Sequence, residues 1–155
     1  MKNRPATLVV IEFGASWPRW LDPTANPGDM AVVAQHYSGP PSDLITQVAS
    51  RVTRLLTRGW IVTSVVLVSN GRADAETAAA RSVLARGLLA QLVAAGGGSF
   101  ALSVDPHYGR RAEHDLAALK RGLEPSAKSG NVTLSIEGAV TERRAEPRPR
   151  LYAVS

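Results

Sequence analysis

The chain has 155 residues, 45% of them hydrophobic but only 5% aromatic, and its 18 Lys and Arg against 13 Asp and Glu give a formal net charge of +5. That length suits one domain whose core is built mainly from Leu, Val, Ile and Ala. Cysteine is absent, which excludes disulfides, thiol chemistry and thiolate metal ligands, and no apolar run approaches the ~20 residues that span a bilayer.

The opening MKNRPATLVVIEFG runs directly into acidic Glu12 without the organisation of a signal peptide, so a cytoplasmic protein is the default expectation. Within it, Ala6 to Gly14 is expected to form a strand, because β-branched and aromatic residues follow one another almost continuously. Glu12 interrupts that buried pattern. A carboxylate there must be exposed at an edge, paired or functional, and an arginine such as Arg72 or Arg110 is its expected partner.

Residues 15–41 contain five prolines and two glycines, which opposes a continuous helix. A loop of this length needs a reason, such as a lid or a partner surface. Met30 to Tyr37, MAVVAQHY, is expected to form either a short strand at the sheet edge or a helical turn. Trp17 and Trp20, with Arg19 between them, are candidate interface residues, since aromatics and arginine are enriched at protein contacts. Packing of this loop onto its own domain is the competing account.

Ser42 to Arg58 gives the clearest helical pattern, with Leu44, Ile45, Val48, Val52, Leu55 and Leu56 on one face. Ser42 suits the cap, Asp43 the first turn and Gly59 the stop. Arg51, Arg54 and Arg58 form a basic stripe on the other side, most simply a solvated face. Trp60 to Gly71 reads as a long apolar strand. Asp74 can cap a second helix running to about Ala95, with Val83, Leu84, Leu88, Leu92 and Val93 expected on its buried side. Gly96 to Gly98 ends this helix; the triplet follows a helix and precedes a strand, so helix termination is its expected role. Ser99 to Asp105 forms the next strand, Ala112 to Leu123 a third helix, and Gly130 to Val140 a last strand whose alternation suits a sheet edge.

This order specifies an α/β protein. The expected fold is a three-layer α/β/α sandwich over a mainly parallel sheet of four or five strands, flavodoxin-like or Rossmann-like, within residues 1–140. Residues 141–155 form a basic tail with Pro147 and Pro149; its Leu151 and Tyr152 are candidate interface residues if LYAVS returns as an edge or exchanged strand.

Ligands of parallel sheets collect outside the carboxyl ends of the strands. The turns at Asn70–Arg72 and Asp105–Arg110 therefore supply the candidate ligand residues Asn70, Arg72, Asp105, His107 and Arg110, suited to a small anion or nucleotide at the following helix starts. Turn formation with hydrated arginines explains the same residues without a ligand. No dinucleotide fingerprint, P-loop or nucleophile elbow is present. His107 and His114 do not have metal-ligand spacing, so no metal is expected and no cofactor is assigned. The last fifteen residues hold four arginines and two glutamates, and the remaining excess is dispersed, unlike a dedicated nucleic-acid surface.

The layout resembles that of universal-stress-protein-like domains, small α/β sandwiches that commonly dimerise and some of which bind ATP. The nucleotide-binding members carry Gly-x-x-Gly, a later glycine and Ser/Thr after the fourth strand. Here SIEGAVTERRAEP has one glycine and then charge, and Glu12 lies inside the first strand where those proteins have a strand-end aspartate. Two functional expectations stand: a non-catalytic domain acting through a homo-oligomer or protein partner, or a binder of a small anionic ligand or nucleotide, with hydrolase activity the weaker form of the second.

Overall fold

The computed structural model describes residues 4–12, 14–15, 18, 30–37, 41–72, 74–104 and 109–137. In chain order they form β1 (Arg4–Glu12), β2 (Met30–Tyr37), α1 (Pro41–Thr57), β3 (Trp60–Ser69), α2 (Ala75–Ala94), β4 (Gly98–Val104), α3 (Gly109–Ser129) and β5 (Val132–Glu137). The strands make one parallel sheet in the order β2-β1-β3-β4-β5. Met30 to Tyr37 is therefore a strand, at one edge, and the alternating last strand lies at the other. This strand order occurs among doubly wound sheets, and it reverses direction between β1 and β3.

Side-chain alternation separates the two faces of the sheet. Leu8 and Val10 of β1, Val65 and Leu67 of β3, and Phe100, Leu102 and Val104 of β4 form one cluster with residues from all three helices. The alternate positions Val9, Ile11, Val66 and Val68 form a second cluster with Ala15, and Ala101 packs against it. The connections through α1, α2 and α3 all advance in the same direction along the sheet. Crossovers of one hand must then place their helices on one face. The chain leaving β1 turns the other way, and Ala15 accordingly lies on the far face. The described helices thus make an α/β sandwich with all three helices on one face of the sheet; among the described residues no helix covers the other face, where the expected three-layer arrangement places one.

Packing explains where the helices differ from their sequence patterns. In α1, Val48 and Val52 are buried, whereas Leu56 is 47% exposed despite its place on the expected apolar face. Arg51, Arg54 and Arg58 are exposed, as a solvated stripe requires. The inward stripe of α2 is Arg81, Leu84, Ala85, Leu88, Leu89 and Leu92. Val83 and Val93, expected to be buried, are 51% and 39% exposed. Ala85 and Leu89 take the inward places because the period through Leu84, Leu88 and Leu92 points there.

The third helix is longer than expected, running from Gly109 to Ser129 through Pro125. Proline removes one helical N–H, but Pro125 is on the exposed side, and buried Leu123 and Ala127 hold the turns around it against the sheet. At the end of α2, the Gly96 N–H donates to Val93 O at 3.1 Å and the Gly97 N–H to Leu92 O at 2.9 Å. These paired bonds form a Schellman stop, with Gly96 at φ +102°. The expected role of the glycine triplet is correct.

Candidate functional site

The carboxyl ends of β1 and β3 lie side by side, with Ile11 paired to Val68. Beyond that pair, Glu12 ends β1 and Ser69 ends β3, both buried. Glu12 shares the parity of Leu8 and Val10, so its carboxylate points to the helical face. It meets α2 there.

Its partner is Arg81. The Arg81 Nε–H donates to Glu12 Oε2 at 2.9 Å and its Nη2 donates to Glu12 Oε1 at 3.1 Å. The same Nη2 contacts Asn70 Oδ1 at 3.2 Å and Arg72 O at 3.0 Å. The Asn70 N–H completes the acceptor side by donating to Glu12 Oε1 at 3.0 Å. Only 4% of the Arg81 side chain and 10% of the Glu12 side chain are exposed. The guanidinium fork matches the carboxylate at two atoms, the geometry a buried charge pair needs to offset its desolvation.

The turn after β3 is folded around this pair. The Gly71 N–H donates to Ser69 Oγ at 3.0 Å, and the Arg72 N–H to Asn70 Oδ1 at 2.9 Å. The Asn70 amide oxygen thus bridges the Arg72 backbone and the Arg81 guanidinium. Asn70 and Arg72 are brought to one place: Asn70 braces the turn against Arg81, and Arg72 contributes its backbone N–H and carbonyl while the residue itself is exposed. The expectation that Arg72 or Arg110 would pair with Glu12 is corrected to Arg81, which sits one helical turn before the apolar stripe of α2 and projects onto the same face.

The start of α2 is occupied by its own carboxylate. Asp74 Oδ2 accepts the Thr77 hydroxyl at 3.0 Å and the Thr77 N–H at 3.2 Å. The Thr77 hydroxyl, then its backbone N–H, hold the Asp74 pKa below the ordinary aspartate value. This is an N-cap anion in the field that would otherwise attract a ligand anion.

No protein-family model, curated protein or solved structure matches the chain.

The other candidate residues are distributed differently. Asp105 and His107, Trp17 and Trp20, and Leu151 and Tyr152 lie outside the described residues. Arg110 is in the first turn of α3, with its side chain outside the described set. His114 is exposed on α3, consistent with its reading as a helix-surface residue. Asp115 follows it with Oδ2 buried and lacking a hydrogen bond. Among the described residues, no three His, Asp or Glu converge as a metal site, and no helix is long and apolar enough to cross a membrane.

Arg81 was missed because a single arginine in AETAAARSV looks like a solvated charge. The available signal was geometric. Extending the period of Leu92, Leu88 and Leu84 back by one turn reaches position 81, and the unmatched acid in β1 required a cation on an adjacent inward face.

Proposed function

We propose that this chain is a non-catalytic α/β domain that acts through protein association. The observation that carries this reading is the polar cluster at the sheet's carboxyl edge: Glu12 is held at both oxygens, and Arg81 directs its Nε–H to Glu12 and its Nη2 to Glu12, Asn70 Oδ1 and the Arg72 carbonyl. A general base must be able to reach a substrate proton, and an anion-binding arginine must keep donors for its ligand. Here the same groups fasten β1, β3 and α2 to one another. Asp74 likewise fills the anion-favouring start of α2.

Association has support from the outer surface, where Val83 and Val93 are exposed on the middle helix of the layer. The reading expects no thermal stabilisation of the full chain by a panel of nucleotides, inorganic phosphate and carboxylic acids. It also expects peptide-display selection on the immobilised chain to enrich binders whose binding survives the R72A/R110A double substitution. Ligand stabilisation abolished by R72A/R110A, or failure to enrich any peptide, would overturn it.

A further inference from the structure

The three helices of the single described layer do not have equivalent solvent faces. The outward side of α1 carries Arg51 and Arg54, with Arg58 just past its end, and that of α3 carries His114, Arg121, Glu124 and Lys128, all exposed. The middle helix is different. Opposite its inward stripe, Ala79, Val83, Arg86, Ala90 and Val93 are all exposed. Their spacings of four, three, four and three residues form a straight seam, the pattern by which one helix packs along another. Val83 and Val93 are among the three large hydrophobic residues most exposed in the described structure.

The seam opens onto a groove of about 560 Å³ between α2 and α3, lined by Arg86, Leu89, Ala90, Val93, Gly122 and Leu123 among others. Ala90 and Gly122 keep the walls low, while buried Leu89 and Leu123 form an apolar floor. Gly122 leaves open space where a Cβ would stand. Arg86 is the sole charge in both the seam and the groove lining, and it has no ion-pair partner among the described residues.

The position of Arg86 discriminates between occupants. It is midway between Ala79 and Val93, so antiparallel pairing of two copies with full seam overlap brings the two Arg86 side chains together. Like charges in a desolvated contact cost affinity. A foreign helix with an acid at that point instead supplies the missing counter-charge.

Resting on the association reading above, we propose that the α2 seam and α2–α3 groove dock an amphipathic helix of a partner protein, with apolar residues at three- and four-residue spacing and an Asp or Glu facing Arg86. This is helix-in-groove recognition, with Val83, Ala90 and Val93 providing the apolar contact and Arg86 setting register.

The test is a fluorescence-anisotropy titration of the full chain with a labelled synthetic helix bearing Leu along one face and one Glu at the register position. A scrambled peptide of the same composition is the control. Saturable binding of the helix should weaken about tenfold or more in V83D and in R86E, each at an exposed position compatible with folding. A Glu-to-Lys version of the peptide should recover binding to R86E. Equal binding of the scrambled peptide, no saturable binding, or unchanged binding in V83D and R86E overturns the proposal. Light scattering that shows a dimer dispersed by V83D also overturns it, by assigning the face to a second copy. Display peptides that bind independently of V83D and R86E would leave the broader association reading standing while removing this face as its site.

Discussion

The Glu12–Arg81 pair gives the sharpest stability prediction. Arg81→Met keeps an extended apolar side chain on the inward face of α2 but removes the guanidinium. Glu12 then loses bonds of 2.9 and 3.1 Å, retaining the Asn70 N–H at 3.0 Å. Asn70 Oδ1 still accepts from the Arg72 N–H, so the cost falls mainly on the buried carboxylate. Breaking a buried pair from one side costs about 3–5 kcal/mol, a large part of an ordinary domain's stability. For a chain of this size, that corresponds to a fall in melting temperature of roughly 6–20 °C.

A double-mutant cycle distinguishes the lost pair from lost packing. Glu12→Leu combined with Arg81→Met removes both charges and should recover to within about 1 kcal/mol of the wild type, or exceed it, because a buried pair is often no more stable than apolar residues of similar volume. Urea denaturation of the four proteins provides the free energies, with unchanged slope as the check that unfolding remains comparable. A loss below about 1 kcal/mol in R81M, or a double variant as unstable as R81M, would refute the assignment of a buried, coupled pair.

Gly98 has φ +142°, and a Cβ there would collide with the Thr63 carbonyl oxygen. G98A should therefore lower the unfolding free energy from urea denaturation by at least the roughly 1–3 kcal/mol of backbone strain, while G122A, with no atom within 4 Å of its Cβ, should gain about 0.5–1 kcal/mol on the same assay. Equal effects would contradict the two local geometries. Asp74 provides a pH prediction: its folded pKa is depressed by Thr77, so its contribution is present above the unfolded value and is lost as pH falls through the folded value. D74A should melt at a lower temperature than wild type at neutral pH, with the gap narrowing in acid below the ordinary aspartate range; a gap independent of pH would refute the cap's charge dependence.

The element order was legible because strand and helix periods are distinct, and because Gly59 and Gly96–Gly98 mark stops. The α2 face was less legible. Its outer seam is nearly as apolar as its inner stripe, so composition alone favoured bulky Val83 and Val93 over Ala85 and Leu89. Sheet packing resolved that choice. Pro125 concealed the continuation of α3, since local propensity opposed a helix that Leu123 and Ala127 sustain through burial. At the candidate site, Asn70 and Arg72 were identifiable from their turn after a buried strand. Their use as a strut and a carbonyl acceptor depended on Arg81, which is distant from Glu12 in sequence.

That use of the turn also determines the energetics of an anionic ligand at the β1–β3 crevice. To take over the Arg81 Nε and Nη2 donors that now hold Glu12, the anion must displace Glu12, leaving a buried carboxylate with only Asn70 N–H of its present donors. If that displacement costs the about 3–5 kcal/mol of breaking a buried pair, affinity falls roughly 10²–10⁴-fold relative to an arginine already free in the pocket. Approach to the start of α2 encounters the Asp74 carboxylate instead. The cluster consequently favours holding the sheet's carboxyl edge together, while the uncharged span of the α2 seam presents less desolvation cost to an apolar partner.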